Sequence, residues 1–352
     1  MGIAGIYPHA KIMAVKFLGV DGSGAMSSSA LALRYAADNG ARVINNSYGS
    51  GYDSVLVKDT VAYADEMGCI MVAAAGNNGA NIRSYPAAYP QCICVGATDK
   101  DDQLTIFSNY GSWLSVTAPG MNILSLRATN TDMYAEKDQA DVHIVDTNLY
   151  LANGTSMASP HAAGVAAILA AVNTDAPPWV VKQAIMNSSD NIYPLHDPAW
   201  AGLMGQGRVN AIRALTYDAS TQVYMNAHLD LFHFFITGAV YMFLPPGATT
   251  DLWVNVKSWK SAIPDARITF EQVTNGFSIS TNEVALGTLP AQYETNASIA
   301  VTMSMDKYGR PAYKAINVSL WSGTNVLARQ TVVFYAWNQC VDSIMPGSCL
   351  VR

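Results

Sequence analysis

Short apolar runs alternate with helical patterns over the first 215 residues of the chain. Residues 11–18, 41–47 and 69–76 are apolar enough for buried strands, whereas residues 27–40 and 53–68 between them have helical apolar spacing. An alternation of strand and helix requires crossover connections, which are right-handed and place the strands parallel. The pattern therefore predicts an α/β fold, a three-layer, mostly parallel sheet with helices on both faces.

The pattern changes after residue 215, where helical spacing is replaced by alternation of apolar and polar residues with period two. This alternation is clearest over residues 250–259, 298–305, 314–321 and 328–337. It predicts an all-β sandwich of about six or seven strands. We therefore expect an α/β domain over residues 1–215, a linker over 216–226 and a β-sandwich accessory domain over 227–352.

Composition and charge exclude some classes of function. Only 13% of the residues are charged, the net charge is −6, and lysines and arginines form no cluster. Tight binding to nucleic acid depends on neutralising phosphates, so we expect no nucleic-acid partner. The apolar run at residues 231–244 is too short for a spanning helix and is assigned to strand, so we expect no membrane span. The sequence shows no signal peptide pattern.

The five cysteines are too few for a dense disulfide framework. Cys92 and Cys94 stand two residues apart on one predicted strand, which is awkward for a bond between them. Cys340 and Cys349 could close a small C-terminal loop, and free thiols are an equally open alternative.

Ser156 stands six residues before an apolar run at residues 162–171, which is rich in alanine, valine, isoleucine and leucine. A helix that is apolar all round is buried, and its first N–H groups have no partner within the helix. A serine at such a start can expose its hydroxyl and its own N–H to a cleft, which suits a nucleophile. A simple helix-capping serine is the alternative. Pro160 is assigned to the first turn, where a missing N–H costs little.

Asn77 follows the predicted strand at residues 69–76. Ligands of open α/β sheets bind beyond the carboxyl ends of the strands, and an asparagine amide there can donate a hydrogen bond to a developing oxyanion. Taken alone, Asn77 is better interpreted as a turn residue, since Gly79 comes two residues later.

Together these stretches resemble the subtilisin-like serine proteases, or subtilases. The block NGTSMASPHAAG around Ser156 and the block VAAAGNNG around Asn77 carry the resemblance, which extends over about residues 1–215. It implies a serine endopeptidase that hydrolyses peptide bonds through an acyl-enzyme on Ser156. It also implies an oxyanion hole formed by Asn77 and the N–H of Ser156, and a protein or peptide substrate.

The resemblance further implies a set of substrate-binding residues. Ser47, Tyr48 and Gly49 would line one side of the specificity pocket, Ala74, Ala75 and Gly76 the other side, and Gly22, Ser23 and Gly24 would form the opposing substrate strand.

The aspartate and histidine of the family's triad have no counterpart in this sequence. No HGTH block occurs, and the two Asp-Thr pairs before Ser156 fall in a helix (Asp59) and in a hairpin (Asp146). His9 and His143 are interpreted as surface residues, and His161 belongs to the serine block. We therefore expect an N-terminally truncated chain that is nearly inactive alone, with the missing segment of the same protease as a partner.

That truncation would remove the strand bearing the aspartate. In the family this strand lies between those matching residues 11–18 and 41–46. The strands at residues 11–18 and 41–46 would then pair directly with each other or leave a gap in the sheet.

Family resemblance also implies secretion or a cell-surface location, and it makes calcium a candidate cofactor with unknown ligands. The alternative function is a peptide- or carbohydrate-binding module on a degenerate protease scaffold. The tryptophans of the second domain could stack on sugars, although core packing is the favoured interpretation: Trp253, Trp259, Trp321 and Trp337. An α/β-hydrolase is excluded because no serine lies in a G-x-S-x-G motif.

Overall fold

The computed structural model describes residues 3–127, 142–217, 223–229, 232–236, 239–243, 247–304 and 312–336. The chain forms two compact units, Met1–Ala219 and Ser220–Arg352. The division between them falls inside the stretch that the sequence assigns to a linker.

The first unit is built on a sheet of four parallel strands whose spatial order equals their chain order. They are β1 (Val43–Asn46), β2 (Ile70–Ala74), β3 (Ile93–Thr98) and β4 (Val116–Pro119). Every residue of β2 and β3 is buried, as expected for the central strands of a covered parallel sheet. A small antiparallel sheet follows, with β7 (Leu149–Ala152) between β5 (Ile123–Leu126) and β6 (Val142–Asp146).

Five α-helices accompany this sheet: α1 (Met26–Asp38), α2 (Val55–Glu66), α3 (Thr155–Val172), α4 (Pro178–Asn187) and α5 (Ala211–Thr216), with short 3₁₀ turns at Tyr193–Leu195 and Pro198–Trp200. The N-cap of α2 is Ser54, whose side chain accepts from the Val57 N–H. The start of α1 follows Ala25 and has no side-chain cap.

The helices pack against the sheet in two groups. α1 and α2 share a buried cluster with Met71 of β2, whereas α3 packs against all four strands and against α4. By length and composition alone, α3 could cross a membrane. In this unit it is the core helix, and its buried residues include Ala162, Val165 and Leu169.

The prediction of a strand over residues 11–18 is wrong. This stretch forms no ladder, and Ile12 is 87% exposed. Within the described ranges β1 pairs with β2 alone, so the predicted first and second strands do not pair with each other. An extended segment becomes a strand only when a neighbour takes its N–H and C=O groups, and apolar character alone does not supply that neighbour.

The opposite edge of the sheet is covered. The Thr117 N–H of β4 donates to the Gly207 carbonyl, and the Val209 N–H donates to the Thr117 carbonyl. Arg208 lies between these contacts, and its guanidinium binds Asp102 at 2.8 Å and Asp190 at 2.6 Å.

The stability of this edge of the sheet depends on pH through the carboxyl group of Asp190. Burial raises the pKa of Asp190, but hydrogen bonds from Arg208, Asn210 and Arg213 outweigh burial and hold the pKa below its ordinary value. A carboxyl of this kind stabilises the fold above its unfolded pKa of about 3.9, and the stabilisation is lost as the pH falls through the lower folded pKa. We therefore expect the free energy of unfolding to decrease as the pH is lowered from about 4.

Urea unfolding between pH 3 and 7 measures this loss. Asp190→Asn is expected to flatten the acid limb, whereas Asp59→Asn, on the exposed side of α2, is the matched control and should leave it unchanged. An acid limb equally steep in Asp190→Asn and the wild type would contradict the assignment.

The second unit contains ten strands among its described residues. They are β8 (Val223–Leu229), β9 (Phe232–Ile236), β10 (Ala239–Phe243), β11 (Thr249–Ser258), β12 (Ile263–Gln272), β13 (Phe277–Ile279), β14 (Glu283–Leu289), β15 (Glu294–Met303), β16 (Ala312–Ser322) and β17 (Asn325–Ala336). Two four-stranded antiparallel sheets, β13-β15-β11-β8 and β14-β12-β16-β17, contribute to one buried cluster. The expected six or seven strands were too few, partly because residues 231–244 contain a hairpin, β9–β10, and not one strand.

The described tryptophans of this unit do not lie in its core. Trp253 is 37% exposed, Trp259 is partly exposed, and the Trp321 ring lies 4.8 Å from the Arg267 guanidinium. The interpretation as core aromatics is therefore wrong for these three, and Trp337 is outside the described residues.

The cysteines of the first unit are buried free thiols: Cys69, Cys92 and Cys94. Cys340 and Cys349 lie outside the described residues.

Candidate active site

Ser156 is the second residue of α3, as expected for a serine at a helix start, but Pro160 is the sixth and not in the first turn. A proline has no N–H, so the Ser156 carbonyl lacks its usual donor four residues later. The Ser47 hydroxyl, just beyond the end of β1, donates to that carbonyl at 2.8 Å. In return, the Ser156 hydroxyl donates to the Ser47 carbonyl at 3.0 Å. The two serines thus fix the start of α3 to the end of β1.

A second pair of hydrogen bonds reinforces this junction. The Ser159 hydroxyl donates to Asn45 Oδ1 at 2.7 Å, and Asn45 Nδ2 donates to the Ser47 hydroxyl at 2.9 Å. The network therefore consists of hydroxyl, amide and carbonyl groups, which do not take up a proton at neutral pH. In this arrangement Ser156 is a neutral alcohol without an adjacent base.

Asn77 lies beside the start of α3. Its Oδ1 accepts from the Thr155 N–H at 2.9 Å and from the Thr155 hydroxyl at 2.8 Å, which leaves Nδ2 as the donor half of the amide. A methyl group built on Gly154 would lie 3.4 Å from Asn77 Nδ2 and 3.6 Å from the Ser156 amide nitrogen. Both nitrogens therefore lie near the face of Gly154 that would carry a side chain, at the start of α3.

The alanines assigned to the pocket wall have their side chains in the core. Ala74 is 3% exposed and Ala75 is fully buried, so a substrate could meet them only through their main chain. The adjacent Gly76 has a left-handed φ of +102° and donates its N–H to the Thr155 hydroxyl at 3.1 Å.

Tyr48 and Gly49 are constrained by packing on the other side of the site. The Tyr48 hydroxyl hydrogen-bonds to Ser29 at 2.8 Å and its ring meets the edge of Phe17, with ring centres 4.7 Å apart. Burial raises the pKa of Tyr48 to about 12. Its side chain thus packs towards α1 and does not stand open as a pocket wall. Gly49 approaches Ser84 so closely that a Cβ would lie 2.2 Å from the Ser84 hydroxyl oxygen.

Gly22 and Ser23 form a turn and not an extended strand. The Gly19 N–H donates to the Ser23 carbonyl at 2.8 Å, Gly22 has φ of +75°, and the Asp21 carboxylate accepts from Ser23. Gly24 follows this turn, and a Cβ there would lie 3.0 Å from the Phe17 ring.

The described histidines of the first unit have other contacts. His161 Nδ1 pairs with the Met157 carbonyl, and His196 bridges the Leu104 N–H and the Ile192 carbonyl. His143 lies on β6 and His9 is exposed beside Tyr7. Among the hydrogen bonds of the described residues, none joins a histidine to Ser156.

The two Asp-Thr pairs lie in a helix and in a hairpin, as the sequence predicts. Asp59 lies within α2, and Asp146 ends β6 at the hairpin to β7. The described part of the chain contains no group of three or more histidine, cysteine, aspartate or glutamate side chains that could hold a metal ion. It therefore offers no carboxylate cluster suited to calcium, and we assign no ligand.

Sequence reasoning missed four residues that organise the site: Asn45, Asn109, Thr155 and Ser159. Thr155 and Ser159 lie in the serine block, where their polarity within an apolar helix is a usable signal. Asn45 and Asn109 have no local signal, because their partners are distant in sequence. Asn45 accepts from Ser159, 114 positions away, and Asn109 donates to Ala75, 34 positions away.

Comparison with known proteins finds a matching family and many relatives for the first unit. The family model described as the subtilase family matches residues 1–207. A thermophilic serine proteinase from Bacillus sp. (strain AK1) is 40% identical over 216 residues, which are 61% of this chain and 48% of that protein. Thermitase from Thermoactinomyces vulgaris is also 40% identical over 216 residues, which cover 61% of this chain and 69% of thermitase.

A solved structure shares the same fold. A protease from Pseudoalteromonas arctica PAMC 21717 superposes with a TM-score of 0.53 and 27% identity, covering 61% of this chain and 65% of that one. The chain thus spans about half the length of the Bacillus sp. proteinase and about two thirds of thermitase.

Proposed function

We propose that this chain, which belongs to the subtilase family, provides the nucleophile and the oxyanion-binding groups of a serine endopeptidase. Relatives named as serine proteinases and subtilisins support hydrolysis of peptide bonds as the class of reaction. The observation that carries the assignment is that Asn77 Nδ2 and the Ser156 amide nitrogen lie near the same face of Gly154, at the helix start that bears Ser156.

In the proposed reaction, Ser156 Oγ attacks the carbonyl carbon of a peptide bond and forms an acyl-enzyme as the amine leaves. The carbonyl oxygen becomes an oxyanion that accepts from Asn77 Nδ2 and from the Ser156 N–H. The partial positive charge at the start of α3 stabilises the same oxyanion.

The proposed reaction needs a group that accepts the proton of the Ser156 hydroxyl. The Ser156 hydroxyl donates to the Ser47 carbonyl, which cannot take the proton away. In a subtilisin, loss of the triad histidine lowers kcat by about 10⁶-fold, and about 10³–10⁴-fold of catalysis over water remains. We propose that this chain alone is nearly inactive on peptides, and that a segment bearing the aspartate and histidine supplies the proton acceptor.

Further features of the proposal rest on family membership. A protein or peptide substrate would bind in extended form against the main chain around Gly49 and Gly76, and the protein would act outside the cell or at its surface. The second unit would be a β-sandwich accessory domain, which its two sheets around one buried cluster support.

Labelling with a fluorophosphonate probe tests this function. We expect slow covalent labelling, located at Ser156 by peptide mass spectrometry and lost in Ser156→Ala. The control is Ser27→Ala, an exposed serine on α1 outside the network around Ser156, which should keep the label. Labelling that persists in Ser156→Ala would reject Ser156 as the nucleophile.

A binding module without catalysis is the second candidate. The 37% exposure of Trp253 on β11 favours it, because an exposed indole among polar neighbours can stack on a sugar ring. Binding of a polysaccharide in affinity electrophoresis, weakened by Trp253→Ala, together with no labelling of Ser156, would favour this candidate over the protease.

A further inference from the structure

Asn109 is a fully buried polar side chain in the segment between β3 and β4. Its Nδ2 donates to the Ala75 carbonyl at 3.1 Å and to the Ile82 carbonyl at 3.0 Å, and its Oδ1 accepts from the Asn78 N–H at 2.7 Å. Its own N–H donates to the Gly76 carbonyl at 2.9 Å. One side chain therefore joins both ends and the middle of the loop 75–82, which carries Asn77.

The loop 75–82 needs such an external constraint. Gly76 has φ of +102° and Gly79 has φ of +62°, and glycine fixes neither conformation by itself. Most of the constraint comes from the segment of Asn109, since the Gly79 N–H also donates to the Phe107 carbonyl at 2.7 Å. The contact is close, because a Cβ on Gly76 would lie 2.5 Å from Asn109 Nδ2.

Asn77 is held between this segment and α3. Its Oδ1 is fixed by Thr155 on one side, while the main chain on both sides of Asn77, at Gly76 and Asn78, is bonded to Asn109. A displaced loop would move the Asn77 amide donor away from the start of α3, where the Ser156 N–H lies. Misplacement by about 1 Å can cost about 10²-fold in rate.

We infer that Asn109 is a positioning residue, which holds the loop 75–82 so that the Asn77 amide points at the oxyanion site. The inference deepens the proposed function and rests on it. Asn109 touches no reacting atom, and its effect on the reaction passes entirely through Asn77.

Two variants remove the contacts in different ways. Asn109→Ala deletes the hydrogen bonds of the side chain, whereas Asn109→Asp keeps the shape and the acceptor for Asn78 but turns an oxygen towards the Ala75 and Ile82 carbonyls. Ser115→Ala is the matched control, because it deletes one buried hydrogen bond, from the Cys94 N–H, away from the loop.

The first measurement is hydrogen exchange of the full chain by mass spectrometry, which does not depend on activity. We expect both Asn109 variants to speed exchange in peptides covering residues 75–82 and to leave peptides of β3 unchanged. Ser115→Ala should not affect residues 75–82. Uniformly faster exchange throughout the unit, or failure of both variants to fold, would overturn the inference, since Asn109 would then serve only global stability.

The second measurement is the residual hydrolysis of an activated p-nitrophenyl ester, read as a double-mutant cycle. We expect Asn109→Ala to lower kcat by about 10²-fold with little change in KM. In an Asn77→Ala background the same substitution should change kcat by less than about twofold, because the donor that it positions is already gone. An equal loss in both backgrounds would overturn the inference.

The cycle also separates this inference from the proposed function. If Ser156→Ala hydrolyses the ester as fast as the wild type, the proposed function fails, and hydrogen exchange still decides whether Asn109 holds the loop.

Discussion

Replacing Asn77 with alanine is expected to lower kcat for an activated ester by about 10²–10³-fold, or about 2.7–4 kcal/mol of barrier, a magnitude measured in a subtilisin for loss of one oxyanion donor. The structural reason is that Asn77 Nδ2 and the Ser156 amide nitrogen lie near the same face of Gly154, and in the proposed function both donate to the oxyanion. KM should change little, because the hydrogen bond forms mainly in the transition state.

Alanine at position 77 also removes the acceptor of Thr155, so a second variant is needed. Asn77→Asp retains an oxygen for the Thr155 N–H and hydroxyl but has no amide donor, and it adds negative charge where the oxyanion forms. We expect it to be at least as slow as Asn77→Ala. An Asn77→Asp variant with wild-type kcat at pH 8 would show that Asn77 only anchors the helix.

Replacing Gly207 with alanine is expected to destabilise the first unit by about 3 kcal/mol, near the upper end of ordinary point substitutions. Gly207 has φ of +107°, and a Cβ there would lie 2.0 Å from the main-chain oxygen of Asp190. The Cβ and the Asp190 main-chain oxygen cannot move apart by side-chain rotation. The main chain is held as well, since Asp190 and Arg208 are joined by two main-chain hydrogen bonds of 2.8 and 3.0 Å. The clash should therefore pull the segment away from β4.

Gly40→Ala is the matched control for this effect. Gly40 also has a left-handed φ, +79°, but nothing lies within 4 Å of the position of its Cβ. It should cost only the conformational penalty of about 1–2 kcal/mol. Urea unfolding of both variants measures the difference, and equal losses of stability would show that the close approach at Gly207 is relieved by small shifts.

The elements that the sequence predicts best are those with a complete local signal. The central strands β2 and β3 are continuous apolar runs and are buried throughout, and the apolar helix α3 buries half of its residues. That Asn77 lies beside the start of α3 follows from the subtilase resemblance and not from local pattern, which fits a turn at Asn77 and a cap at Ser156.

The failures share one physical cause, which is dependence on a distant partner. Residues 11–18 look like a strand but have no ladder. The side chain of Tyr48 packs on Phe17 and Ser29, and the assignment of residue 48 to the substrate pocket stays a prediction. Asn109 looks like an ordinary turn residue, although it organises a loop about 30 positions earlier. Local pattern does not encode these contacts, since each is decided by which surfaces the completed fold brings together.

The proline of α3 ties the first turn of that helix to an edge strand of the sheet, β1. Because Pro160 cannot donate to the Ser156 carbonyl, the first turn of the helix depends on Ser47, which follows a strand paired on one side only within the described residues. Edge strands open more readily than central ones in local unfolding. Fraying of β1 would therefore loosen the first turn of α3 long before the rest of the helix melts, and any polypeptide that docks along that edge would tighten it.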